Sequence, residues 1–316
     1  MRIVHVNTQD VAGGAAKIAR LLAASQREAG HQSGLLVARR HGPGGRVRRF
    51  DAGSAPVLSP FCEATGLSYL DLQGAFGLLA AEPVASADLL HLHNLHYGYF
   101  NPLALPAISR AKPCLWTLHD LHALTGYCNH PVDCLGWLSG CAECRRQGMD
   151  GPDPALDGRT DMTRAGGLRG QGAAITHRVR ALAYRHSRLT LACPSEWVRQ
   201  QVERSSLAGH PVHVIPNGVE TGLFAPGDKA AARRELGIAQ NALVVGGVAS
   251  YGVFANPIKG GALLLKALRL LWQARPDLIF LNVGGFGQGP DPRVRNVPFV
   301  GNPVDLARIY AAMLVR

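Results

Sequence analysis

The sequence has no long uninterrupted run of apolar residues, and charged and aromatic residues are few. Charged residues make up 17% of the 316 positions and aromatic residues 6%, against 47% hydrophobic residues, a balance typical of a globular protein. A membrane-spanning helix needs roughly 20 consecutive apolar residues, and the chain starts with the strand-like MRIVHVN instead of a basic, then apolar leader. We therefore expect a cytoplasmic protein without a spanning helix or secretion signal, and the length favours two domains.

Acidic residues are also scarce. Asp and Glu number 22 against 33 Lys and Arg, which leaves a formal net charge of +11. This excess favours an anionic partner, for which nucleotide diphosphates, phospholipid head groups and nucleic acid are the candidate classes. The arginines are scattered and lack the interleaved aromatic residues of RNA-binding proteins, which argues against nucleic acid. We expect a nucleotide-type ligand, and the positive charge also suits peripheral contact with the anionic inner face of a membrane.

Buried-strand patterns alternate with helical patterns along most of the chain. Alternation of this kind predicts an α/β protein with parallel sheets. A loop is predicted over residues 145–171, followed by a basic helix over residues 173–186 whose arginines face solvent. The predicted strands cover residues 2–7, 33–38, 88–93, 114–118, 189–192, 212–215, 243–248 and 278–283.

Glycines and polar residues directly follow several of the predicted strands in the first half. Ligands of open α/β sheets bind at the carboxyl ends of the strands, glycines let the backbone approach a ligand at a helix N-terminus, and histidine exchanges protons near neutral pH. The residues alone leave open a plain tight turn at the glycines and structural roles for the histidines. The candidates are Gly13, Gly14, His93, Asn94, His96, His119 and Asp120.

In the second half, Lys259 and Gly260 precede a predicted helix over residues 260–275. The free amides and the dipole at a helix N-terminus bind phosphate, and a lysine adds a point charge there. This pattern predicts a contact with a diphosphate, and a solvated lysine at the start of a helix is the alternative.

Four of the seven cysteines fall in one short segment, at Cys128, Cys134, Cys141 and Cys144. In a cytosolic protein such a cluster favours a structural zinc site over disulfides, because thiolates suit tetrahedral zinc. Free buried thiols remain an alternative, as does His130 in place of one cysteine. The other three cysteines stand in apolar contexts and are predicted to be core thiols.

The stretch from Cys193 to Pro226 carries the most specific pattern. It reads PSEW at a helix start, with Ser195 as the expected N-cap, and then VIPNGV followed by Phe224 and Pro226. This order resembles the interdomain segment of glycosyltransferase family four. An ordinary strand-turn-strand link is the alternative interpretation.

The resemblance implies a GT-B fold, an α/β architecture of two Rossmann-like, doubly wound domains. It implies an enzyme that transfers a sugar, with retention, from a nucleotide-diphosphate sugar to a saccharide or lipid-linked acceptor in surface polysaccharide biosynthesis. The cysteine segment is similar to an insert in a colanic-acid or capsule branch of the family. No catalytic metal is implied.

The resemblance also implies roles for the candidate residues. His119 would face the interdomain cleft near the transferred sugar, and Asp120 would orient it or cap the next turn. Lys259 and Gly260 would contact the donor diphosphate, and so would the glycine loop at residues 13–14. The acceptor side would include His93, Asn94 and His96.

The sequence departs from the family pattern in the second half. No arginine stands between Val244 and Lys259, and the family's following segment, with its paired glutamates, is missing. We expect a first domain over residues 1–200, with the cysteine insert at about 128–144, and a truncated donor domain over 201–316. A non-catalytic binding remnant is the alternative, and a basic zinc-bearing nucleic-acid-binding protein is a weaker one.

Overall fold

The chain divides into two compact units in the computed structural model, Met1–Asn217 and Gly218–Arg316. The structure describes residues 1–11, 13–42, 45–53, 55–67, 69–142, 144, 168–255 and 257–313. Each unit is built on a parallel sheet with its own hydrophobic core. Most of the predicted loop over residues 145–171 lies outside the described residues.

The first unit holds a sheet of seven strands in the order β3-β2-β1-β4-β5-β6-β7. All neighbouring strands run parallel. The connection from β1 leads to β2 on one side, and the connection from β4 leads to β5 on the other, which makes the β1–β4 boundary a topological switch point. The strands are β1 Arg2–Gln9, β2 Gln32–Arg39, β3 Val47–Arg49, β4 Leu89–Leu92, β5 Cys114–Thr117, β6 Leu189–Cys193 and β7 Val212–Val214.

Helices cover this sheet and complete its core. Apolar strand residues such as Leu90, Leu92 and Leu191 are fully buried, as expected for strands covered on both faces. Ser195 caps its helix by accepting a hydrogen bond from the Val198 amide at 3.3 Å, as predicted. The helices are α1 Gly14–Glu28, α2 Ser59–Thr65, α3 Leu105–Ala111, α4 Leu168–Arg185 and α5 Glu196–Glu203.

The second unit holds a three-stranded parallel sheet in the order β10-β9-β8. Val244, Leu281 and Val283 lie at the centre of one of its apolar clusters. The strands are β8 Leu243–Val248, β9 Leu278–Val283 and β10 Val294–Val297, and the helices are α6 Lys229–Glu235, α7 Gly252–Ala255, α8 Gly261–Ala274 and α9 Pro303–Ala312.

The structure differs from the sequence-based expectations in three places. Strand β3 was not predicted, because its exposed Arg48 and Arg49 hide the strand pattern. Helix α4 starts at Leu168, inside the segment predicted as a loop. The prediction that its arginines all face solvent is wrong for Arg180, which is 3% exposed because the loop after β5 surrounds its guanidinium group with acceptors.

Along the described ranges, no helix is both long enough and apolar enough to cross a bilayer.

Candidate functional site

The carboxyl ends of β1, β4 and β5 meet at one edge of the first unit, at the switch point. Residue pairing brings Val6 beside Leu92, and Leu92 beside Trp116, so the residues that follow these strands become neighbours. The side chain of Asn7 accepts a hydrogen bond from the Asn94 amide at 3.1 Å. The predicted residues after β4 and those after β5 are therefore brought together here.

Four side chains form a continuous chain of hydrogen bonds from this edge into the interior. His119 Nε2 lies 2.8 Å from His93 Nδ1, and His93 Nε2 lies 2.9 Å from His5 Nδ1. His5 Nε2 in turn lies 2.9 Å from Gln26 Oε1, on helix α1. Both ring nitrogens of His93 are thus occupied by protein partners, and the ring is 1% exposed.

Burial keeps these imidazoles neutral at ordinary pH, because a low-dielectric interior disfavours the charged form. Burial lowers the pKa of His5 to about 4 and that of His119 to about 4. It lowers the pKa of His91 to about 3, with the neighbouring His5 and His119 adding to the effect. The pKa of His93 is held well below its usual range by burial and by the three surrounding histidines.

His96 and Asp120 form a separate pair at the same edge. His96 Nε2 lies 2.9 Å from an Asp120 carboxylate oxygen, and the other oxygen accepts a hydrogen bond from the His122 amide at 2.9 Å. Burial raises the pKa of Asp120, but the charge and hydrogen bond of His96 and the His122 amide outweigh it and leave that pKa below its usual value. Asp120 therefore caps the next turn, and its hydrogen-bonded histidine is His96 and not His119.

Gly13 and Gly14 form the N-terminus of helix α1, the first helix after β1. Gly13 has a φ of 85°, a conformation that favours glycine. No side chain caps the helix, and a Cβ added at either glycine would meet nothing within 4 Å. The first amides of a helix have no intrahelical partner, so this end offers donors beside open space.

Two groups of residues in the first unit have the chemistry of metal ligands. His5, His91 and His93 are all buried, and one nitrogen of each lies within 4.8 Å of the others. Among the predicted zinc ligands, Cys134 and Cys144 are near enough to Cys141 for their charges to raise its pKa, after burial as the main cause. Cys128 is buried, and its carbonyl accepts a hydrogen bond from the Thr125 hydroxyl at 2.7 Å.

In the second unit, Lys259 and Gly260 lie at the N-terminus of helix α8. Lys259 is exposed at the end of a short 3₁₀ turn. Gly260 has a φ of 70° and takes the N-cap position, where no side chain caps the helix. The helix thus presents free amides directly after a cation.

A pair of asparagines holds the loops at the carboxyl ends of β8 and β9. The buried Asn282 accepts a hydrogen bond from the Val253 amide at 2.8 Å and donates one to Asn296 at 2.7 Å. Asn296 donates to the carbonyls of Phe286 and Gly287 at 3.0 and 2.8 Å. The loop before α8 and the loop after β9 are therefore tied to one another.

The sequence-based predictions missed His5, His91, Gln26 and the two asparagines. The first two carried a usable signal, since each is a polar residue inside an apolar strand, and His91 and His93 share a face because they are two positions apart. Gln26 carried no comparable signal, because a glutamine on an amphipathic helix usually faces solvent.

The chain belongs to glycosyltransferase family 4, since a sequence profile of the family described as Glycosyltransferase Family 4 matches residues 12–223. The predicted family is thereby confirmed. D-inositol 3-phosphate glycosyltransferase 1 of Catenulispora acidiphila is 26% identical over 269 residues, which cover 84% of this chain and 50% of that protein. The putative colanic acid biosynthesis glycosyl transferase WcaC of Escherichia coli is 27% identical over 161 residues, 46% of this chain and 39% of WcaC.

Solved structures of similar fold include a protein in complex with a nucleotide sugar and a glycosyltransferase. HepE from Anabaena, solved in complex with UDP-glucose, aligns with a TM-score of 0.56 at 17% identity and covers 99% of this chain and 72% of its own. WaaG, a glycosyltransferase involved in lipopolysaccharide biosynthesis, aligns with a TM-score of 0.51 at 12% identity, over 98% and 73% of the two chains. These likenesses confirm the predicted GT-B-like α/β fold. The chain spans half or less of the length of the curated relatives it matches.

Proposed function

We propose that this chain acts as a glycosyltransferase that moves a hexose-type sugar, with retention, from a nucleotide-diphosphate donor to a saccharide or lipid-linked acceptor in surface polysaccharide assembly. Family membership supports sugar transfer. The UDP-glucose bound by HepE supports a nucleotide-sugar donor, and the name of WcaC supports the polysaccharide role.

The observation that carries the proposal is the N-terminus of helix α8. Its free amides and the positive end of its dipole follow Lys259 directly, an arrangement that stabilises the charge of a leaving diphosphate without a metal ion. Gly13 and Gly14 offer a second uncapped helix end in the first unit. We assign Lys259 and Gly260, with the two glycines, to the donor.

We assign His119 and Asp120 to the reacting sugar, and Asn94 and His96 to the acceptor side, with the buried His93 behind His119 on that side. His119 is partly exposed and uncharged, so its ring can form a hydrogen bond with a sugar hydroxyl. The carboxylate next to it, Asp120, has one oxygen bonded to His96 and the other to the His122 amide, which is consistent with attack of the acceptor on the same face as the leaving group.

The donor assignment is tested by calorimetric titration of the chain with UDP, GDP and their common sugar conjugates. We expect saturable binding of one nucleotide class, weakened about tenfold or more by Lys259→Ala, because a hydrogen bond to a charged group contributes about 1.5–3 kcal/mol. The matched control is Lys266→Ala, an exposed lysine further along α8, which should bind like the wild type. If the folded chain binds none of these compounds, it is a non-catalytic remnant.

We further propose that the cysteine segment holds a structural zinc ion, with Cys128, Cys134, Cys141 and Cys144 as ligands. The clustering of these four thiols in one short segment of the sequence supports it. Purified protein should contain about one zinc per chain, and Cys141→Ser should lose it, because zinc binds thiolates. Cys62→Ser, at a buried thiol elsewhere in the unit, is the control. Equal zinc content in the two variants contradicts the proposal.

We also propose a cytoplasmic location with peripheral contact at the anionic inner face of the membrane, and no nucleic-acid partner. The net charge of +11 supports an attraction to acidic lipid. Flotation with anionic vesicles, compared with neutral ones, tests that contact.

A further inference from the structure

The hydrogen-bond chain behind His119 has a direction. Gln26 Oε1 can only accept hydrogen bonds, and the Ser33 hydroxyl also donates to it, at 2.8 Å. His5 Nε2, 2.9 Å from the same oxygen, must therefore carry a proton. A neutral imidazole has a single N–H, so His5 Nδ1 is a bare acceptor.

The same reasoning applies to each following hydrogen bond, from His5 to His93 and from His93 to His119. Because His5 Nδ1 accepts, His93 donates to it from Nε2, and His93 Nδ1 is left bare. His119 then donates from Nε2 to His93 Nδ1. The one remaining ring nitrogen, His119 Nδ1, carries a lone pair, and across the described residues no protein donor meets it.

We propose that Gln26, His5 and His93 are positioning residues that lock His119 in the tautomer with a proton on Nε2, so that Nδ1 faces the ligand only as a hydrogen-bond acceptor. This inference rests on the proposed function, in which His119 contacts the transferred sugar. The inference also specifies which group of the ligand binds Nδ1. A hydroxyl can donate a hydrogen bond to this nitrogen, whereas a phosphate oxygen cannot, because its lone pairs would repel the lone pair of Nδ1.

The arrangement fits a tautomer lock better than a proton shuttle or a metal site. The hydrogen-bond chain ends at the Gln26 amide and the buried Ser33 hydroxyl, and neither of these groups titrates near neutral pH. Nitrogen–nitrogen distances of 2.8 and 2.9 Å are hydrogen-bond distances with one shared proton each. A metal held by His5 and His93 would have to replace the proton between them.

The proton positions can be measured without any substrate. In the 316-residue chain labelled with ¹⁵N-histidine, long-range ¹H–¹⁵N spectra at neutral pH distinguish bare from protonated ring nitrogens, and His119→Gln identifies the His119 signals. We expect a protonated Nε2 and a bare Nδ1. Gln26→Met removes the terminal acceptor and should turn His119 into an average of both tautomers, while Gln201→Met, the same change on helix α5, should not.

A second variant, His5→Phe, breaks the chain at another point and should give the same averaged signals with an otherwise native spectrum. A His119 protonated on Nδ1 in the wild type, or unchanged by both Gln26→Met and His5→Phe, overturns the proposal. The proposal is also overturned if the wild type contains one metal ion per chain and His5→Phe loses this ion together with the change in the His119 signals.

Binding gives a separate readout. Gln26→Met should weaken binding of the nucleotide-sugar about three- to tenfold, the size of one hydrogen bond, and leave binding of the nucleotide diphosphate unchanged. If no nucleotide binds to any variant, the proposed function fails, and the spectra still decide whether the lock exists. If Gln26→Met weakens binding of the nucleotide-sugar and of the nucleotide diphosphate equally, the result contradicts the proposed role of His119 Nδ1.

Discussion

Arg180 lies in the interior of the first unit although its side chain always carries a charge. Its guanidinium group is buried and donates to the carbonyls of His122 and Thr125, both at 2.7 Å, and to the His122 ring at 2.9 Å. Burial, together with this guanidinium, holds the pKa of His122 well below its usual range. Arg180 therefore ties helix α4 to the segment that follows His119 and Asp120.

We expect Arg180→Met to lower the free energy of unfolding by about 3 kcal/mol, because two carbonyls and a ring nitrogen would be left without donors. Arg178→Met, two positions earlier and exposed, should change it by less than about 0.5 kcal/mol. Urea unfolding followed by circular dichroism compares the two. Similar midpoints would mean that the bonds of Arg180 do not stabilise the fold.

At this scale the sequence predicted residue positions better than residue contacts. His119 and Asp120 were found because they follow a strand. The pairing of Asp120 with His96, and of His119 with His93, could not be predicted, because it depends on which strands are neighbours and on side-chain direction.

At the scale of elements, strands β9 and β10 position the loops of the second unit through Asn282 and Asn296. Gly284 and Gly252 allow this close approach: both have positive φ, and a Cβ on Gly284 would lie 1.9 Å from the Ala249 carbonyl oxygen. The segment that leads to Lys259 is thus held at Gly252 by close backbone packing and at Val253 by the side chain of Asn282.

We expect Asn282→Ala to destabilise the second unit by at least about 2 kcal/mol, because it removes two hydrogen bonds in a buried setting. It should also weaken donor binding, since the loop before α8 loses its anchor. Gln273→Ala, at an exposed position of α8, is the control, and scanning calorimetry gives both stabilities. A native-like Asn282→Ala would contradict the anchoring role.

The elements themselves were largely predictable. Strands β8 and β9 match the predicted residues throughout, because continuous apolar runs bounded by turn residues carry a strong local signal. Strand β3 and the start of α4 carry no such signal, since β3 forms only by pairing with β2.

At the scale of the whole molecule, the two units have different chemistry. All 13 histidines precede Gly218, so the second unit, Gly218–Arg316, contains none. Buried histidines destabilise a fold as pH falls, because the unfolded chain takes up protons that the native state excludes. This cost appears below the unfolded pKa of about 6.5 and grows until the pH reaches the folded pKa of about 4 for His5 and about 3 for His91.

Between pH 6.5 and pH 5, each of these two histidines should therefore remove about 2 kcal/mol from the stability of the first unit, at 1.36 kcal/mol per pH unit. The second unit should change little, since its shifted carboxyl groups have pKa values below the usual range. Calorimetry at several pH values should show one transition that moves and one that does not. The transition that Arg180→Met lowers belongs to the first unit, and the one that Asn282→Ala lowers belongs to the second. If both transitions move equally with pH, the buried histidines do not cause the pH dependence.

The sequence by itself determined the α/β class, the positions of the main strands, the family and the residues at the strand ends, because these depend on local periodicity and on motifs contiguous in the chain. Only the tertiary structure decided that His5, His93 and His119 form one chain ending at Gln26, that Arg180 is buried and that Asn282 meets Asn296. Those contacts join residues far apart in sequence, and strand order and helix packing alone bring them within hydrogen-bonding distance.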